Sequence, residues 1–382
     1  MVRSEIKIVL LIFSFIIFSC KDSSRDKKDN VHIIKIALDS PIEQKSFMDK
    51  VSDFRFIPLE TTLQSIINKI DKCVIKDERF YILDKKQQSI FIFTNEGKFI
   101  TRFNRLGKGP DEYIELTDFE IGDQGELLVF DAVNRKLLSY NREFDITGNT
   151  RVCYGDKMLL LNDGTVIIYA DAPEKKEYAI NVFDKNGSIQ QTFLQTSDDE
   201  GIRPAYSREK NLDYQNGSIS LVRSFDYNVY EIKNDSLDIK YRFDFGKENM
   251  PEGLLKGSYV EVFQNVLKDE SVQMLDNYIE TNDWITFEVN GKGIFYEKKK
   301  NRYYIPANGL EVPYAPIFQN APKVINSGKY YTVISAKNVI SSLSPLLSYK
   351  PYLQKYPILQ YLQGFSLNED DNDILVEYHL ND

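Results

Sequence analysis

The chain has 382 residues, 42% of them hydrophobic and 13% aromatic, with 24 Tyr and 24 Phe; this suits strands better than helices and is ample for a core. Its formal charge is -9, and no Lys/Arg cluster interleaves with aromatic residues. That balance repels phosphate backbones and excludes non-specific binding of DNA or RNA.

The N-terminal stretch "MVRSEIKIVLLIFSFIIFSC" carries Arg3 and Lys7, then an apolar run from Ile8 to Phe18 broken only by Ser14. The run is shorter than the roughly 20 residues a spanning helix needs, and it fits the apolar region of a secretory signal. Its end, Ile17-Phe18-Ser19-Cys20, resembles a bacterial lipobox, in which the cysteine is lipidated and becomes the new N-terminus. Residues 1–19 therefore read as a lipoprotein signal peptide, Cys20 as the lipidation site and residues 20–30 as a polar, charged tether. The resemblance implies a Gram-negative outer-membrane lipoprotein, held to the membrane by its lipid and facing the periplasm or the cell surface. The other cysteines, Cys73 and Cys153, lie in apolar strand-like surroundings that suit buried free thiols, in a compartment that also permits a bridge.

From Val74 onward one pattern recurs: a polar turn, an apolar strand, a second turn, another strand. "KDERFYILDKKQQSIFIFTNEGKFITRF" is the first copy, and later ones begin at Gly122, Leu161, Tyr214 and Glu280, with a sixth opening at Ile325. Strands alternate in polarity from Ser89 to Phe93 and from Lys98 to Phe103, and Asn95-Glu96-Gly97 and Lys185-Asn186-Gly187 are hairpin turns. Gly125 and Gly164 lie 39 positions apart (164 minus 125), close to the roughly 40–50 residues of a four-stranded propeller blade. A β-sandwich pair gives no reason for the recurrence, and a helical solenoid lacks the periodicity. The pattern predicts an all-β fold, a six-bladed propeller of four-stranded blades over residues 31–382, since a radial ring hides its strand edges. The stretch "DFRFIPLETT" (residues 53–62) and "NDILVEYHL" (residues 372–380) are the strands expected to close the ring between its two ends. Two insertions break the rhythm, residues 251–280 with mixed helical spacing and residues 341–365, rich in Leu, Tyr and Pro; loops this long either serve a function or cover a face.

The first copy runs into "NRLGKGPDEYIEL", residues 104–116. It lacks the Gly-Lys-Ser/Thr ending of a phosphate loop, and Pro110 removes a donor. Gly107 and Gly109 permit positive φ or close approach, Pro110 fixes a bend, and Tyr113 supplies an anchor, so the stretch reads as a corner between one blade's outer strand and the next blade's inner strand. Asp111 and Glu112 are expected to be exposed. The surrounding "EGKFITRFNRLGKGPDEYIELTDFEI" (residues 96–121) and "IPLETT" (residues 57–62) resemble motifs of the bacterial six-bladed β-propeller lipoproteins, a family of unknown function. Their C-terminal "NPVLVxY" element has a counterpart at residues 372–378 without its proline. Gly107, Gly109, Pro110, Glu112 and Tyr113 match the family's glycine-rich corner motif. The resemblance implies the propeller fold and no agreed activity.

No Ser/His/Asp spacing points to a relay, and the only histidines, His32 and His379, are far apart. The expected role is a non-enzymatic binding or interaction propeller, with a glycan, a peptide or an envelope protein as partner and no cofactor. The competing expectation is a lyase or hydrolase whose channel carboxylates hold a metal, a donor set that suits Ca²⁺ better than Zn²⁺.

Overall fold

In this computed structural model the described residues are 31–41, 43–174, 176–196, 203, 211–215, 217–233 and 235–382. The signal segment, Cys20 and the whole of the tether lie outside them. Residues 32–382 form one compact unit.

Six antiparallel sheets follow one another around a ring. Blade 1 runs Lys72–Lys76, Arg79–Asp84, Ser89–Thr94 and Phe99–Phe103. Blade 2 runs Asp118–Ile121, Leu127–Asp131, Lys136–Tyr140 and Ile146–Arg151, and blade 3 Lys157–Leu160, Val166–Tyr169, Tyr178–Phe183 and Ile189–Gln195. Blade 4 comprises Leu212–Gln215, Ser218–Val222, Asn228–Lys233 and Ser236–Asp244; blade 5 comprises Asp276–Glu280, Trp284–Val289, Lys292–Glu297 and Arg302–Tyr304. Blade 6 takes Val324–Asn326, Lys329–Ile334 and Ile374–Leu380 from the C-terminal part, and its outermost strand, Val51–Pro58, from the N-terminal part. The ring thus closes as expected, through antiparallel pairing of Phe56 with Val376 and Ile57 with Leu375.

The middle strands are apolar at nearly every position because each blade is covered on both faces. In blade 1, Tyr81, Leu83, Ile90 and Ile92 pack on Phe119, Val129 and Leu138 of blade 2. Alternate side chains, Phe80, Ile82, Phe91 and Phe93, pack on Ile57, Tyr331 and Leu375 of blade 6. Outer strands such as Phe99–Phe103 meet solvent on one side and alternate in burial.

Three features depart from the expectation. Each recurring copy begins within or just after a blade's innermost strand, because these strands are only three to five residues long (Val324–Asn326, Lys72–Lys76) and too short to show a period of their own. Blade 4 gains a fifth strand, His32–Lys35, parallel to Tyr241–Asp244, from a segment with no alternation strong enough to announce it. The insertion at residues 251–280 ends earlier than expected: its last five residues, Asp276–Glu280, are the inner strand of blade 5. Its helix is Tyr259–Lys268, started by a reciprocal cap in which Ser258 Oγ accepts the Glu261 amide and Glu261 accepts the Ser258 amide. The helical turns of the second insertion extend from Ala336 to Leu362.

Candidate functional site

Chain direction sorts the connections onto two faces. Inner strands run away from one face, which also receives every link between blades and every turn between second and third strands. On the opposite face the turns are short: two residues separate Lys76 from Arg79, and five separate Ile121 from Leu127. Among the described residues the first face carries most of the long connections: residues 59–71, 104–117, the helix-bearing residues 245–275, residues 305–323 and residues 335–373, while residues 36–50, with the helix Gln44–Met48, pass from this face to the opposite one. Exposed aromatic groups stand on both insertions. Tyr259 and Phe263 lie one turn apart on their helix with rings 6.3 Å apart and nearly parallel, and Tyr349, Tyr352 and Tyr361 are exposed on the other.

The ring encloses a cavity of about 390 Å³ lined by the inner strands of all six blades. The mouth is polar because each inner strand carries a polar residue within one position of its start: Lys72, Asp118, Lys157, Asp213, Asn277 and Lys323. Lys72 Nζ reaches from blade 1 to Asp118 Oδ1 and Glu120 Oε1 of blade 2, both at 2.9 Å, across the face of Phe119. Asp118 Oδ2 accepts the Met158 amide of blade 3 at 2.8 Å, so one carboxylate joins three blades. Burial raises the Asp118 pKa, and the ammonium groups of Lys72, Lys157 and Lys85 together more than offset that, holding the carboxyl below its usual range. Asp213 Oδ2 plays the matching part between blades 4 and 5, accepting the Glu280 amide at 3.3 Å. These acids satisfy backbone donors that an inner edge strand leaves without a ladder partner.

Next to the mouth, the half-buried Asp156 and the buried Asp171 lie side by side where blade 3 meets blade 4. Asp156 Oδ2 accepts the Asp171 amide at 2.8 Å; Asp171 Oδ1 accepts from Tyr169 Oη at 2.5 Å and from the Ser224 amide at 3.2 Å. Burial, helped by the neighbouring Asp171 charge, pushes the Asp156 carboxyl up.

The glycine-rich corner lies at the rim of the same face, between the outer strand of blade 1 and the inner strand of blade 2. Gly109 N donates to Glu112 Oε2 at 2.7 Å, and Gly107 N to the Tyr113 carbonyl at 3.0 Å. The buried Tyr113 ring donates its hydroxyl to Gln88 O at 2.7 Å and accepts the Arg105 amide at 3.0 Å. Lys136 Nζ holds the Glu112 carbonyl, and Tyr140 Oη holds that of Asp111. The amides that a phosphate would need are already bonded within the loop. Neither Gly107 nor Gly109 has positive φ; close approach is the operative property, since a Cβ on Gly107 would fall 1.9 Å from Glu112 Oε2. The Asp111 side chain is exposed as expected, whereas Glu112 is half-buried and tied into the turn. Pro110 is exposed at the tip.

His32 and His379 stay apart, on the edge of blade 4 and in blade 6. Among the described residues no group of three or more His, Cys, Asp or Glu is placed to hold a metal ion. Cys73 and Cys153 are free thiols, raised by burial to about 12 and about 11. Sequence reasoning missed the six residues of the mouth. A signal was present: "DKCVI", "TDFEI", "DKMLL", "LDYQ", "DNYIE" and "PKVI" each place a polar residue directly before an apolar one at the start of a short strand, once per blade.

The sequence matches, over residues 31–379, the family described as a domain of unknown function, DUF4934. Among curated proteins, none matches. Among solved structures, a candidate exported protein of Bacteroides fragilis is similar at 15% identity with a TM-score of 0.69, covering 92% of this chain and 100% of its own. A DUF4221 family member from Bacteroides vulgatus is 11% identical with a TM-score of 0.49, covering 87% of this chain and 97% of its own. Virginiamycin B lyase from Staphylococcus aureus is 12% identical with a TM-score of 0.42, covering 73% and 81%. At these identities the first likeness is one of fold, and the other two carry no argument.

Proposed function

This chain belongs to the DUF4934 family, and on that premise we propose that it is a lipid-anchored cell-envelope propeller that binds a ligand or partner and does no chemistry on it. One observation carries the reading: among the described residues most of the long connections leave the ring on one face, around the polar mouth of its cavity, while the hairpin turns of the other face are short. Binding folds concentrate variation in loops held by a rigid scaffold. The channel carboxylates support binding rather than metal-assisted catalysis, because Asp118 and Asp213 already bond neighbouring blades. The exposed Tyr259, Phe263, Tyr349 and Tyr352 suit contact with a glycan or a protein. The lipobox and tether supply the membrane attachment, with the propeller in the periplasm or at the surface of a Gram-negative outer membrane.

The test uses the full-length chain solubilised in a non-glycosidic detergent. It is applied to glycan and peptide arrays, and any stoichiometric envelope partner that co-purifies is identified. Specific binding by one of these routes is the expected result. Background signal throughout, or turnover of whatever binds, overturns the reading.

A further inference from the structure

The interface between blades 5 and 6 is hollow and carries hydrogen-bonding capacity that the fold leaves unused. On blade 5, strand alternation puts Trp284, Thr286 and Glu288 on the side facing blade 6, where Trp284 packs with Tyr330, Ile334 and Tyr378. On blade 6 it puts Tyr330, Thr332 and Ile334 on the side facing back. Within this interface Trp284 Nε1, Thr286 Oγ1, Thr332 Oγ1 and Tyr378 Oη are buried and make no hydrogen bond. A β-rich core ordinarily avoids this, because a buried polar atom without a partner is costly.

The same interface opens into a cleft of about 460 Å³ whose wall includes Asp276, Asn277, Glu288, Asn320, Lys323 and Thr332. Asn277 and Lys323 also line the channel cavity, so the two spaces adjoin through them. Each lies within the roughly 300–1,000 Å³ of small-molecule sites. The outer wall is fixed in place. Gly293 N donates to the Gln319 carbonyl at 2.7 Å, and a Cβ at Gly293 would fall 2.6 Å from the Asn320 carbonyl carbon. On the channel side Asn211 is nine-tenths buried, and its Oδ1 also makes no hydrogen bond.

The chemistry of the wall selects a ligand class. Its charged groups balance, Lys69 and Lys323 against Asp276 and Glu288, and each is already engaged within the protein. The unused groups of this interface and its channel side are uncharged: the Asn211 amide oxygen, the Trp284 indole N–H, and the hydroxyls of Thr286, Thr332 and Tyr378, which both donate and accept. We infer that the cleft and the channel together bind a neutral, hydroxyl-rich ligand, a short saccharide with one unit against Thr332 and Asn320 and the next against Asn277 and Asn211. Thr332 lines the cleft and Asn211 lines the channel cavity. This rests on the binding reading above and adds the place and the class of ligand.

The test titrates the full-length chain, in non-glycosidic detergent, with cellobiose, maltose and N,N′-diacetylchitobiose by calorimetry, with the dipeptide Ala-Ala as the zwitterionic comparison. Thr332→Val keeps the shape and removes the hydroxyl, and Asn320→Ala removes an exposed amide from the cleft wall. The expected result is that a neutral disaccharide binds the wild type and binds both variants at least tenfold more weakly, while Thr332→Val melts no lower than wild type. Unaltered binding in both variants means the ligand sits elsewhere and overturns this inference while leaving the binding reading intact. A response to Ala-Ala alone, or no sugar binding in a chain that still retains an envelope partner, also overturns it. Only the loss of every binding signal removes both.

Discussion

Glu112 folds back onto its own loop so that its Oε2 accepts the Gly109 amide at 2.7 Å, and it occupies the space a side chain at Gly107 would need. The glycine and the acid are therefore one device. Gly107→Ala should displace the carboxylate and cost about 1.5–3 kcal/mol, the usual worth of a hydrogen bond to a charged group. Glu112→Ala should cost the same, and the double variant little more than either alone, because both changes remove one interaction. Chemical denaturation of the three variants measures this, and additive costs would show the two residues to be independent. Asp111→Asn, at an exposed side chain, should stay within about 0.5 kcal/mol of wild type.

The Lys72 bridge across blades 1 and 2 makes a pH-dependent prediction. Lys72→Met strands the nearly buried Asp118 beside Glu120, so at pH 7 it should cost about 3–5 kcal/mol. The folded pKa of Asp118 is depressed, so its contribution is present above the unfolded value of about 3.9 and is lost as pH falls through the folded one. The gap between wild type and Lys72→Met should therefore narrow as pH drops below about 4. Urea melts at pH 7 and in that acidic range decide it; a constant gap would contradict the pairing.

Asp156 titrates in the opposite sense. Its folded pKa is raised, so stability from this site is full below the unfolded value and is lost as pH rises through the folded one. Asp156→Asn keeps an oxygen for the Asp171 amide and removes the charge. It should raise the melting temperature at pH 7 and bring no gain near pH 4. A variant that melts lower than wild type at pH 7 would show that the carboxylate charge is needed.

The fold was legible because it repeats. A blade's second and third strands are apolar on both faces, and the turn from the third strand to the fourth carries signals such as Gly97 and Gly187, both at positive φ. The innermost strands were not legible one at a time, because Val324–Asn326 or Asp118–Ile121 is too short to display a period. The mouth shared their fate: Lys72 and Asp118 are 46 residues apart and meet only when two blades stand side by side. The cleft between blades 5 and 6 had no sequence signature at all, since Thr286 and Thr332 look like ordinary strand threonines until the sheets face each other. The corner motif was legible as a turn, yet the role of Glu112 needed the geometry.

Membrane attachment is tested at Cys20. A fatty-acid probe should label the wild type, and Cys20→Ala should be unlabelled and either leave the membrane fraction or fail to mature. Equal labelling of the two chains would place the lipid on another residue.

The most direct measurement is amide hydrogen exchange of the full-length chain with and without the ligand identified on the arrays. Binding on the loop-bearing face predicts slower exchange at residues 72–76, 157–160, 276–277 and 323–326, which line the cavity and the cleft. Protection confined to the opposite turns, such as Asn95–Gly97 and Lys185–Gly187, would contradict the account.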